Sequence, residues 1–204
     1  MGRVSDARQR LMDAVLNLIW TGSYGSTTID SICHKAGVRK GSFYYFFASK
    51  ADLAVAALDA DWQVKKGQLD ALFSATVQPL ERIRQFCEFA YQKQAALKKE
   101  CGCVLGCPLY TLGSEICTRE QNLLAKIQQI LGYSRMYVES AIRDAHAQHL
   151  IDAPDAAEKA RMIHAYYEGL LTQARIQNDA EVLRELPCGI FAMLGISQMQ
   201  QLAA

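Results

Sequence analysis

The sequence holds no apolar run approaching the roughly 20 residues that a membrane-crossing helix needs, which excludes that class of protein. Its opening, Met1 to Arg8, has no apolar core of the kind a secretory signal carries, so the expected location is the cytoplasm. Proline is scarce, 4 residues in 204, and half of the chain is hydrophobic, a composition that is neither disordered nor collagen-like. Strong charge of one sign is missing too. A net charge of +1 neither demands nor excludes a nucleic-acid partner, so local charge must decide. There is no repeat, low-complexity tract or sustained strand alternation. The seven cysteines are an odd number, and a reducing compartment keeps them as thiols, which argues against a disulfide framework.

What is present is helical periodicity. Ala7, Leu11, Ala14, Val15, Leu18 and Ile19 recur on one face of a helix starting near Ser5 and ended by Gly22 and Gly25. Thr27 and Asp30 have the spacing of a capping box and predict a short second helix to Ala36. Gly37 is its natural stop, because glycine tolerates the left-handed conformation, and Val38 can fill the angle before a third helix, K-G-S-F-Y-Y-F-F. Ser49 and Asp52 form a second capping box, opening a fourth helix that runs into the seventies. Pro79 suits the first turn of a fifth. Glycine and proline break the pattern from Cys101 to Pro108, after which one long helical run is expected to near Leu150, a turn over Asp152 to Pro154, and last helices over 155–177 and 180–194. The predicted class is all-α: a three-helix helix-turn-helix head followed by a larger helical body.

Positive charge gathers in the head. From His34 to Lys50 the chain carries Lys35, Arg39, Lys40 and Lys50 with no acidic residue. A recognition helix presents its N-terminal residues to base edges in the major groove, and here these are Arg39, Lys40, Gly41 and Ser42. Arginine and lysine can donate to guanine O6 and N7, while small neighbours permit close approach. Phe43 and Phe47 are expected in the core.

The stretch T-T-I-D-S-I-C-H-K-A-G-V-R-K-G-S-F-Y-Y-F-F-A-S-K-A-D-L, Thr27 to Leu53, resembles the DNA-binding signature of TetR-family (TetR/AcrR-like) transcriptional regulators. The resemblance implies contacts to bases and backbone from Lys40, Gly41, Tyr44 and Tyr45, and phosphate contacts from Thr27, Thr28 and Lys50 at helix starts. Two positions depart from the family pattern: Phe46 stands where many members have His, and Arg39 where a small capping residue is frequent. Arg3 is a candidate for an adjacent minor groove, with a solvated tail as the plainer alternative.

Further along, Gly106 to Glu115 is similar to a G-C-x-x-x-x-L-x-x-E segment of one group of these regulators, and Tyr167 to Arg175 to a dimerisation helix. The resemblance implies a DNA-binding domain over residues 1–50 and an effector-binding and dimerisation domain over 51–204. It implies a homodimer on double-stranded, palindromic operator DNA, most often a repressor, and a small-molecule effector that shifts the population away from the DNA-bound state. Candidate pocket residues are Phe86, Phe89, Cys107, Tyr110, Met136, Tyr137 and Tyr166, an uncharged set suited to an apolar or aromatic compound. Ile163, Tyr167, Leu170, Leu171, Ala174, Ile190, Phe191 and Leu194 are candidates for a four-helix dimer interface, or for the protomer core.

Other chemistry is weighed against this. Cys101, Cys103 and Cys107 can serve as packing thiols, as a redox or electrophile sensor, or as part of a zinc site, although C-x-C-x3-C is poor metal spacing. Cys87, Cys107, His146, His149 and His164 contain the groups of a nucleophile and base without any established geometry. No enzyme activity, metal or cofactor is predicted; a helical small-molecule-binding protein or enzyme is the rival of another class.

Overall fold

The structure, a computed structural model, describes residues 2–116 and 120–196, with side chains from Asp6 onward in those ranges; the Arg3 side chain lies outside the described residues. The elements are α1 (Gly2–Thr21), α2 (Ile29–Ala36), α3 (Lys40–Phe46), α4 (Lys50–Leu72), α5 (Pro79–Cys101), α6 (Pro108–Ile116), α7 (Gln121–Ala147), α8 (Ala156–Gln177), a 3-10 turn (Ala180–Glu185) and α9 (Leu186–Met193), with no strand among the described residues. The chain is all-α. It divides into two compact units, Met1–Lys66 with Pro108–Leu131 and Gly67–Cys107 with Gly132–Ala204.

Several boundaries differ from the sequence reading for local reasons. Helix α1 begins at Gly2, before Ser5. The capping box of α2 uses Thr28 and Ser31, one position later than Thr27 and Asp30: Thr28 Oγ1 accepts the Ser31 N–H at 3.1 Å while Ser31 Oγ accepts the Thr28 N–H at 3.0 Å. Thr27 is buried, and its hydroxyl instead donates to Ser23 O at 2.7 Å. The run expected from Pro108 to Leu150 is two helices, α6 and α7. The last helix is preceded by the 3-10 turn, and Pro187 falls in its first turn, where a missing N–H costs nothing.

In the first unit α1, α2 and α3 close on a small core. Leu11, Val15, Ile32, Phe43 and Leu53 have no exposed side-chain surface, each worth about 1.5–3 kcal/mol of burial. Gly37, at φ +60°, ends α2: its N–H reaches His34 O at 3.2 Å and the Val38 N–H reaches Cys33 O at 3.0 Å, the paired bonds of a Schellman cap. Ser49 caps α4, accepting the Asp52 N–H at 3.0 Å.

The second unit is held by a larger apolar core and two buried polar braces. Arg82 donates from Nε to Val77 O at 2.8 Å and from a terminal nitrogen to Asp144 at 2.5 Å. Gln94 holds the loop after α5: its Oε1 accepts the Leu105 and Gly106 N–H groups at 3.1 and 2.9 Å, and its Nε2 donates to Gly106 O at 3.1 Å. A loop rich in glycine is thereby fixed by one buried amide. Of the dimer candidates, Ile163, Leu170, Leu171, Ala174, Ile190, Phe191 and Leu194 are all buried inside the protomer, which selects for them the core alternative over the interface.

Candidate nucleic-acid interface and effector site

Helix α3 is only seven residues long, so tertiary anchoring rather than propensity keeps it folded. Phe43, fully buried, and Phe47, 6.1 Å away between ring centroids, supply that anchor. The opposite face is open: Tyr44 is 55% and Tyr45 76% exposed, beside exposed Arg39, Lys40 and Gly41, with Ser42 half-buried. One short helix thus leaves two large aromatics in water.

The start of α3 is chemically unusual. Arg39 is its N-cap residue but makes no side-chain capping bond, so its guanidinium is not committed to the helix. Lys40 pairs with Asp30 at 2.8 Å, and that hydrogen bond raises the ammonium pKa above its ordinary value. The pair is solvent-exposed and therefore weak enough to exchange for a better acceptor. A Cβ built on Gly41 would meet no atom within 4 Å, so no packing inside the protein requires glycine there. Glycine within a helix costs about 0.5–1 kcal/mol relative to alanine.

The phosphate candidates separate. Thr28 is exposed at the N-terminus of α2, where free N–H groups and the helix dipole favour an anion. Thr27 is buried with its hydroxyl turned inward. Lys50 also points inward: its Nζ donates to Tyr24 O and Thr27 O, both at 2.7 Å, and lies 3.9 Å from the Tyr24 ring centroid. Desolvation lowers its pKa, with Glu120 and Glu115 opposing. Sequence reasoning did not pick out Tyr24 or Glu120, because neither belongs to a local motif; spatial proximity alone brings them to Lys50.

The seven effector candidates differ in burial and in partners. Phe86 and Tyr137 belong to an aromatic ladder within the second unit: Phe86 stacks on Tyr167 at 4.8 Å, and Phe73 joins Phe86 at 5.6 Å to Tyr137 at 5.5 Å. The Tyr137 hydroxyl donates to Asp70, and burial with that bond pushes its pKa up to about 12. Phe89 and Cys107 are half-buried, Met136 is 60% exposed, and the Tyr166 hydroxyl donates to Glu185 O at 3.3 Å. Tyr110 is half-buried in the first unit. In the same unit burial holds the Tyr167 phenol well above its ordinary pKa, and burial with Arg135 lowers His164 to about 4; Glu168 beside them is buried. Among the described residues no group of three or more His, Cys, Asp or Glu side chains is placed to hold a metal ion. Likewise, no described helix is long and apolar enough to cross a membrane.

Residues 11–57 match the family model of bacterial regulatory proteins of the tetR family, and residues 79–187 match that of the tetracyclin repressor-like C-terminal domain. The chain belongs to the TetR family. Among TetR-family relatives, it is 30% identical over 175 residues to the transcriptional regulator AcuR of Cereibacter sphaeroides, covering 84% of this chain and 77% of AcuR. It is 24% identical over 182 residues to the HTH-type transcriptional repressor NemR of Escherichia coli, covering 87% and 88% of the two chains. In structure it resembles the regulatory protein TetR from Rhodobacter sphaeroides, with a TM-score of 0.82 and 26% identity over 92% of this chain and 98% of that one. The reduced form of E. coli NemR shares the fold, with a TM-score of 0.78 and 20% identity over 93% and 98%. This TetR-family chain is thus a transcriptional regulator with a helix-turn-helix and a helical C-terminal domain.

Proposed function

We propose that the protein is a cytoplasmic, homodimeric repressor without enzymatic activity that reads a palindromic operator through α3 and leaves it when a small apolar or aromatic effector binds. In functional terms residues 1–50 are the DNA-reading head and 51–204 the effector and dimerisation body. The observation that carries the reading is the exposed face of α3, where Tyr44 and Tyr45 flank a cationic start containing a glycine that nothing in the protein needs. Arg39 and Lys40 read bases, the tyrosines and Ser42 contact bases and backbone, and Thr28 holds a phosphate. Buried Thr27 contributes through the turn it stabilises.

Two heads are needed because one short helix makes too few base contacts, and half-sites lie about 34–36 Å apart. The exposed side of α8, with Met162, Ala165, Gly169 and Ile176, is the surface that supports pairing once its buried residues are assigned to the core. The aromatic ladder supports an aromatic or apolar effector.

Selection of bound sequences from random duplex DNA tests the reading, with a palindrome as the expected product and no enrichment as the result that refutes it. Gly41→Ala then separates DNA contact from folding: the variant should be as stable as the parent or more so by about 0.5–1 kcal/mol, yet bind the selected duplex more weakly. Thiol sensing is the second reading, favoured by the exposure of Cys101 at the end of α5 and of Cys103 in the loop that follows. Alkylation of these thiols that leaves duplex binding unchanged removes it.

A further inference from the structure

The turn between α1 and α2 is gripped by charged side chains from distant parts of the first unit. Its backbone presents two donors, the N–H groups of Tyr24 and Gly25, and two acceptors, the carbonyls of Tyr24 and Thr27. Glu115, near the end of α6, takes both donors, with Oε2 at 2.9 Å from the Tyr24 nitrogen and Oε1 at 2.6 Å from that of Gly25. Lys50, the first residue of α4, takes both acceptors. Glu120 accepts the Tyr24 hydroxyl at 3.3 Å. Gly25 leaves room for this approach, since a Cβ there would stand 2.9 Å from Glu115 Oε1.

Hydrogen bonds to a charged partner are about twice as strong as neutral ones, and here four converge on three residues, Tyr24, Gly25 and Thr27. The turn leads directly into Thr28, the cap of α2, while Lys50 follows α3. The lock therefore bridges the two ends of the helix-turn-helix.

We propose that Glu115 is a positioning residue for DNA reading, touching no DNA but fixing the turn, through which α2 and α3 are held in the geometry the operator requires; Lys50 serves the same lock from the other side. The inference rests on the DNA-binding function proposed above. Without the Glu115 carboxylate, the two N–H groups of the turn revert to water and Lys50 loses a balancing charge. The turn then samples other positions, and specific contacts, which demand one register, suffer more than non-specific ones.

The test uses the full chain and the duplex selected by the parent protein, with an unrelated duplex of equal length as control. Glu115→Gln keeps the side-chain shape, and Gly25→Ala displaces the carboxylate sterically while leaving its chemistry unchanged. Each should weaken binding to the selected duplex about tenfold, leave the unrelated duplex within about twofold, and preserve the salt dependence of binding, because no phosphate contact is lost. Hydrogen exchange at the Tyr24 and Gly25 amides should accelerate while the thermal transition stays near that of the parent. Lys50→Gln should likewise leave the salt slope intact; a slope reduced by about one makes Lys50 a phosphate contact and overturns its part in the lock. Parent-like specific affinity in both Glu115→Gln and Gly25→Ala overturns the proposal. Failure of the parent itself to prefer any duplex is a different result, defeating the DNA-reading function and this inference with it.

Discussion

The two compact units use aromatic residues in opposite ways. In the first, α3 buries Phe43 and holds Tyr44 and Tyr45 out into water. In the second, Phe73, Phe86, Tyr137 and Tyr167 turn toward one another in a continuous ladder. An exposed tyrosine retains its affinity for a partner, whereas a stacked one has spent its surface on the fold or holds it for a ligand that can displace a neighbour. The difference predicts that truncating rings in the two places will separate stability from recognition.

The largest effect should come from the buried rings. Phe43→Ala and Phe86→Ala should each destabilise by about 3–5 kcal/mol in chemical denaturation, through lost transfer energy and the cavity left behind. A cost near zero at Phe86 would mean that the ladder is loosely packed and already shaped as a cavity.

An intermediate effect should follow pH. His164 is lowered to about 4 in the folded chain from an ordinary 6.5, so between those values the unfolded state binds more protons. Its contribution is complete above pH 6.5 and is lost as pH falls toward 4, on the order of 2 kcal/mol after allowance for partial solvation. Denaturation at pH 7 and pH 5 should show the loss, and His164→Gln should flatten it; an unchanged pH slope in that variant would assign the acid lability elsewhere.

The smallest effect on stability should be at Tyr45. Tyr45→Ala should change unfolding free energy by no more than about 0.5 kcal/mol while reducing affinity for the selected duplex. A large loss of stability there would erase the contrast between the two units.

The head was largely legible in the sequence because its chemistry is local. Gly37 as a left-handed stop, Ser49 as a cap, and the alternation of Phe43 and Phe47 with Tyr44 and Tyr45 are all decided within a few residues. The shift of the α2 box to Thr28 was not legible, since it depends on Thr27 sinking into a turn. Lys50 read as an outward cation for the same reason: Glu115 and Glu120, which balance it, lie more than sixty residues away in the chain. In the body, helical periodicity told which residues face inward but not toward what. That is why seven of the dimer candidates lie in the protomer core, and why Gln94, whose one amide orders a whole loop, escaped notice.

The seam where α8 meets α9 sets a limit of another kind. A methyl group at Gly189 would fall 2.2 Å from the Tyr166 hydroxyl oxygen, while that hydroxyl is engaged with Glu185 O. Drift at either position is consequently tied to the other. Homologues that carry a larger residue at 189 should be found with a smaller one at 166, so the pair offers a marker for tracing which descendants kept this way of closing the C-terminal helices.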